Sequence, residues 1–172
     1  MLEIILMRHG KAELRSDAKP DFERELTSIG RKKIKQAARG LAQSLYKGRD
    51  VQIWTSPSVR TLQTAELLRT AFGKKCKLHM ADAIVEGNFA DLQAEWLKTP
   101  SLDVVLVVGH EPTMSEWTEK ISGAALLFRP GSAASIQLDS PEQTIGSLTW
   151  FMRVGVMANL APLATAQRRQ RS

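Results

Sequence analysis

Two side chains suited to phosphate chemistry follow the first apolar segment of the chain. Arg8 and His9 come directly after Ile4–Met7, and Gly10 follows them. An arginine presents a planar fork of donors that fits phosphate oxygens, and a histidine is a nucleophile or proton carrier near neutral pH. A glycine allows the backbone to approach a ligand closely. The segment therefore predicts a phosphate site that carries its own nucleophile.

Two later apolar segments end in the same kinds of side chain. Arg60 lies shortly after Val51–Thr55, and His110 comes after Val104–Val108. Taken singly, each is typical of a surface charge or a cap. Because loops that leave the carboxyl ends of parallel strands line one crevice, their joint placement favours a single site with Arg8 and His9.

The sequence lacks the motifs of several other classes of hydrolase. The sequence contains no Gly-x-x-x-x-Gly-Lys loop, no His-Glu-x-x-His pair and no Gly-x-Ser-x-Gly elbow. Cys76 is followed six residues on by Asp82 and not by an arginine, which argues against a cysteine-nucleophile phosphatase loop. Carboxylates do not cluster at the strand ends, which argues against a two-metal phosphatase. No metal or other cofactor is expected, and histidine remains as the nucleophile.

Hydrophobic periodicity predicts the elements that position these residues, with strands alternating with helices over most of the chain. The predicted strands are Leu2–Met7, Val51–Thr55, Lys77–Met80, Val104–Val108, Ala134–Leu138 and Leu148–Met152, the last two forming a hairpin at a sheet edge. The first two predicted helices begin at the N-cap Thr27 and at Val59 after Pro57. The other two cover Phe89–Lys98, with Leu97 turned inward, and about Thr113–Ser122. The alternation is typical of an α/β fold with a parallel sheet. A polar loop over Lys11–Glu25 is long enough to be functional.

Composition sets limits on the class of protein. The 172 residues, 43% of them hydrophobic, fit one globular domain, which we place at 1–160, followed by a flexible basic tail at 161–172. Three of the charges behind the net charge of +6 belong to that tail, so nucleic acid is not an expected partner. A single cysteine and the lack of a signal or membrane-spanning segment favour a cytoplasmic protein that does not act at a membrane.

The ordered motifs resemble those of the histidine phosphatase superfamily, and most of all its SixA-like phosphohistidine phosphatase branch. The motifs are Met7-Arg8-His9-Gly10, Leu26-Thr27-x-x-Gly30, Thr55-Ser56-Pro57 with Arg60 and Thr64, and Val108-Gly109-His110-Glu111-Pro112. The resemblance implies a three-layer sandwich of the phosphoglycerate mutase type, with helices on both faces of a mostly parallel sheet. It also implies that His9 becomes transiently phosphorylated while Arg8, Arg60 and His110 hold the phosphoryl oxygens.

The resemblance also suggests lesser roles. Ser56 either binds phosphate, orients the arginines or caps its helix, and the backbone at Glu111 is a further donor. Glu86, expected on a loop, is the best-placed general acid, although the family's clear acid motif is missing. Since a phosphorylated imidazole needs that proton less than an alkoxide does, a phosphohistidine protein is the expected substrate, such as a histidine-phosphotransfer domain. A phosphatase of small phosphate esters and a non-catalytic phosphoprotein-binding module remain the alternatives.

Overall fold

The computed structural model describes residues 1–99 and 102–160, which form a six-stranded sheet in the order β3-β2-β4-β1-β5-β6. The strands are β1 (Leu2–Arg8), β2 (Val51–Thr55), β3 (Leu78–Met80), β4 (Val104–Gly109), β5 (Ala133–Leu138) and β6 (Ser147–Met152). The first four pair in parallel, and β5 and β6 add an antiparallel hairpin beside β1. The predicted hairpin at the edge of a mostly parallel sheet is confirmed.

Helices cover both faces of this sheet. They are α1 (Ser28–Gly40), α2 (Val59–Phe72), α3 (Ala83–Glu86), α4 (Phe89–Trp96) and α5 (Thr113–Ser122). Side chains alternate across each strand, so β1 sends Ile4 and Leu6 into a core shared with α3, α4 and α5, and sends Ile5 and Met7 into a core shared with α1 and α2. The expected three-layer α/β sandwich is therefore confirmed.

Local sequence accounts for where most of these elements begin. The Thr27 hydroxyl accepts a hydrogen bond from the amide of Gly30 at 3.0 Å, as the predicted N-cap requires. Helix α2 begins at Val59, as predicted, with Ser58 at the N-cap position and Pro57 immediately before it. At α4 the helix ends at Trp96, and Leu97, predicted to face inward, is 45% exposed.

The end of the described chain packs against α1. Residues 154–160 are helical, and Met157 is fully buried among α1 side chains. The predicted tail at 161–172 lies outside the described residues. Within the described ranges, the helices are all too short or too polar to cross a membrane.

Candidate active site

The strand register brings three loops together at the carboxyl edge of the sheet. Arg8 on β1 lies opposite Gly109 on β4, and Thr55 on β2 lies opposite Val108. The ladder then continues into the loops, because the amide of His9 donates to the carbonyl of Gly109 at 3.0 Å. The structure thus brings the four residues predicted to form the site, Arg8, His9, Arg60 and His110, to one place.

His9 presents one ring nitrogen to this site. Its Nδ1 lies 2.8 Å from the carbonyl oxygen of Gly10, which can only accept, so Nδ1 carries the proton. Its Nε2 accepts from Nε of Arg60 at 3.3 Å and therefore keeps its lone pair. Burial, together with the neighbouring charges of His110 and Arg60, lowers the pKa of His9 to about 3 despite the Gly10 hydrogen bond. At neutral pH the ring is therefore uncharged, and Nε2 has the lone pair that a nucleophile requires.

His110 is held by a chain of hydroxyl groups. Its Nε2 lies 2.6 Å from Oγ of Ser56, and that oxygen lies 3.1 Å from Oγ1 of Thr61. Its Nδ1 lies 3.3 Å from a terminal nitrogen of Arg60. Burial, with a further contribution from the positive charge of Arg60, lowers the pKa of His110 to about 4. The fully buried Ser56 hydroxyl therefore orients this ring, and the cap of α2 is Ser58.

Arg8 and Arg60 bring two positive charges beside His9. Arg8 donates from Nη1 to the carbonyl oxygen of Phe128 at 2.8 Å, which fixes the direction of its side chain. Its Nε is buried and makes no hydrogen bond to the described residues. Arg60 is 7% exposed, and its pKa is lowered by burial although Asp21 counteracts the shift. A buried donor with no partner is costly, so the site is suited to an incoming acceptor such as a phosphoryl oxygen.

Asp21 is a site residue that sequence reasoning missed. It lies in the long polar loop, and its backbone and side chain both accept hydrogen bonds from Arg60. Desolvation opposes ionisation of this carboxyl, but Arg60 and Arg24 hold its pKa below the usual value. The unusual length of the loop was the available signal, because nothing local in the sequence says which of its acidic residues points inward.

The two remaining predicted residues, Glu86 and Glu111, have different surroundings. Glu86 is the last residue of α3, not part of a loop as predicted, and its side chain is exposed. The Glu111 carboxylate accepts a hydrogen bond from Ser115 at 2.5 Å, while its other oxygen is buried without a partner among the described residues. The backbone of Glu111 directly follows His110 at the end of β4, where a donor to phosphate was expected.

A neutral histidine between fixed cations can attack an electrophile and stabilise the negative charge that develops. These are the parts that in-line phosphoryl transfer needs, since its transition state spreads charge over the equatorial oxygens. The described residues contain no cluster of three or more metal-binding side chains. The fold and the site together define a phosphoryl-transfer enzyme with a histidine nucleophile.

Comparison with known proteins gives the family. Residues 4–103 match the model of the histidine phosphatase superfamily (branch 1), and the chain belongs to this superfamily. A protein of unstated function from Picosynechococcus sp. strain PCC 7002 is 35% identical over 126 residues, which are 70% of this chain and 73% of that one. The prediction of a phosphatase that works through a histidine nucleophile is therefore confirmed.

Solved structures share the whole architecture. The protein histidine phosphatase SixA in complex with tungstate superimposes with a TM-score of 0.76 at 24% identity, covering 91% of this chain and 99% of its own. A candidate SixA phosphohistidine phosphatase from Nakamurella multipartitia superimposes with a TM-score of 0.69 at 25% identity, covering 88% of this chain and 95% of its own. These likenesses confirm the fold predicted from the resemblance.

Proposed function

We propose that this phosphatase hydrolyses phosphohistidine in a protein substrate through a covalent intermediate on Nε2 of His9. The observation that carries the proposal is the proton arrangement of His9. Because Nδ1 donates to the carbonyl of Gly10, Nε2 is unprotonated, and its electron pair points towards Nε of Arg60 in the site. A phosphate-binding module would need the arginines but no nucleophile in this state, which favours catalysis.

Two displacements complete the reaction. In the first, Nε2 of His9 forms a bond to phosphorus as the bond from phosphorus to the substrate nitrogen breaks, and that nitrogen leaves with a proton. In the second, water attacks phosphorus, the bond to Nε2 breaks, and inorganic phosphate is released. Arg8 and Arg60 donate to the phosphoryl oxygens in both steps, where fixed donors lower the barrier. His110, whose Nε2–H is held by Ser56, adds a donor at Nδ1 when the negative charge of the phosphoryl group stabilises its protonated form.

The carboxylates around the site support a substrate with a nitrogen leaving group. Asp21 contacts Arg60 directly, yet its pKa lies below the usual value, so it is ionised at neutral pH and is a poor acid. The Glu111 carboxylate accepts a hydrogen bond from Ser115, and the Glu86 side chain is exposed to solvent. An alkoxide needs a proton as it leaves, whereas the imidazole of phosphohistidine can be protonated beforehand. The partner we propose is therefore a phosphohistidine protein, such as a histidine-phosphotransfer domain.

Trapping the intermediate tests this function. The full chain is mixed with radiolabelled phosphoramidate, quenched in base, and mapped by mass spectrometry for acid-labile phosphate on His9. The His9→Ala variant should carry no label, whereas His79→Gln should label normally, because His79 stacks on Trp54 and contacts Gln52, away from the site. Label on another residue, or full turnover by His9→Ala, contradicts the mechanism.

A substrate panel then tests the substrate class. Initial rates are compared for a phosphorylated histidine-phosphotransfer domain, free phosphohistidine, phosphoramidate and a set of sugar phosphates. The proposal expects the phosphoprotein to give the highest kcat/KM. A marked preference for one sugar phosphate would instead assign the same catalytic core to small phosphomonoesters.

A further inference from the structure

The guanidinium of Arg60 has two hydrogen-bonding edges with different partners. The edge formed by Nε and Nη2 faces the histidines, with Nε 3.3 Å from Nε2 of His9 and Nη2 3.3 Å from Nδ1 of His110. The end formed by Nη1 and Nη2 faces Asp21, with Nη1 2.7 Å from its carbonyl oxygen and Nη2 3.1 Å from its Oδ2. A guanidinium is planar and rigid, so fixing one edge fixes the direction of the other.

We propose that Asp21 is the positioning residue for Arg60, holding the outer end of the guanidinium so that its inner edge faces the phosphoryl group between His9 and His110. This inference rests on the proposed function of the site. Asp21 makes no hydrogen bond to either histidine, and the residue through which it is hydrogen-bonded to the site is Arg60.

The loop that carries Asp21 is itself anchored. The second carboxylate oxygen, Oδ1, accepts from Nε of Arg24 and from Nε of Arg15, each at 2.9 Å. Arg24 also donates to the carbonyl oxygen of Glu13 at 2.6 Å, which ties the two arms of the loop together. The amide of Leu26 donates to the side chain of Gln63 on α2 at 2.8 Å. The carboxylate is thus held from the loop and from the helix that carries Arg60.

The part of the Arg60 guanidinium that Asp21 contacts shows whether Asp21 positions Arg60 or competes with the substrate for it. A carboxylate that mimicked phosphate would occupy the inner edge of Arg60, between the two histidines. Asp21 instead binds the outer end of the guanidinium, and the inner edge faces the two histidines. Without the carboxylate, the Arg60 side chain is free to rotate, and a misplaced donor at a reacting centre costs about 100-fold per ångström. Removing Asp21 should therefore slow the chemical step.

Steady-state kinetics of four proteins with phosphoramidate test the proposal. They are the wild type, Asp21→Ala, Asp21→Asn, and Asp17→Asn as a control for losing one exposed carboxylate from the same loop. We expect Asp21→Ala to lower kcat about 10-fold to 100-fold while KM changes less than about threefold. Asp21→Asn keeps an acceptor oxygen and should retain an intermediate kcat, and Asp17→Asn should match the wild type.

Three outcomes would overturn the proposal. If kcat of both Asp21 variants stays within twofold of the wild type, Asp21 does not position Arg60. If KM rises while kcat stays constant, Asp21 contributes to substrate binding instead. If kcat rises, the contact between Asp21 and Arg60 is inhibitory. If circular dichroism shows that Asp21→Ala does not fold, the kcat and KM of Asp21→Asn alone test the proposal. Failure of the proposed function appears in the wild type, as absence of turnover and of label on His9, and the Asp21 proposal then falls with it.

Discussion

Acidification should destabilise the folded protein through its two active-site histidines. Burial lowers the pKa of His9 to about 3 and that of His110 to about 4, from an ordinary value of 6.5. Below pH 6.5 the unfolded chain therefore binds protons that the folded protein excludes, and stability falls as the pH falls. The loss continues until the folded-state pKa values are reached, so pH 7 to pH 5 lies inside the window.

The size of the effect follows from proton linkage. A histidine that stays neutral in the folded protein and titrates near 6.5 when unfolded loses about 2 kcal/mol of stability between pH 7 and pH 5. Two such histidines give about 4 kcal/mol if they contribute independently. Asp21 does not contribute in this window, since its pKa is lowered from 3.8 and it stays ionised in both states.

Urea unfolding at pH 7, 6 and 5, followed by circular dichroism, measures this loss. The variants His9→Gln and His110→Gln should each remove about half of the difference between pH 7 and pH 5. His79→Gln is the third arm, because the pKa of His79 is also lowered by burial and its share must be measured separately. If both active-site variants keep the wild-type pH dependence, the histidines are not neutral in the folded protein and the account of His9 as an uncharged nucleophile is refuted.

Three further predictions concern single side chains. Ser56→Ala leaves the Nε2–H of His110 without its acceptor at 2.6 Å, which should lower kcat about 5-fold to 100-fold. Ser58→Ala removes a hydroxyl that contacts Oγ1 of Thr61 at 2.9 Å but keeps the hydrogen bond between Ser56 and His110, so it should lower the melting temperature more than kcat; equal kcat values for the two variants would contradict the role of Ser56. Gly30→Ala places a Cβ 2.1 Å from the carbonyl oxygen of Lys11 and should lower the free energy of unfolding by about 3 kcal/mol, or Tm by about 6 to 12 °C. In the control Gly155→Ala the Cβ meets nothing within 4 Å, so Tm should change little, and similar Tm values for the two variants by calorimetry would refute the clash. If Glu86 is the general acid, Glu86→Gln slows hydrolysis of a phosphomonoester more than that of phosphoramidate, and an equal effect on both rates rejects that role.

Local periodicity was enough to predict most of the fold. An uninterrupted apolar segment such as Val104–Val108 has few alternatives to a central strand, and the helix over Thr113–Ser122 has the predicted bounds. The predictions were wrong at the ends of helices. Leu97 is exposed and Glu86 ends a short helix, because the last turn of a helix and the conformation of a four-residue segment depend on packing more than on local pattern.

What the sequence by itself determined is the set of side chains that reach the carboxyl edge of the sheet. Arg8 ends β1, His9 follows it and His110 follows β4, so knowing the two strands and their parallel pairing was sufficient to bring these side chains together. Only the tertiary structure decided how they are held and charged. Asp21 contacts Arg60 across 39 positions of chain, and Ser56 contacts His110 across 54. Such contacts depend on the path of a long loop and on strand pairing. The lowered histidine pKa values depend on burial, which the whole fold creates.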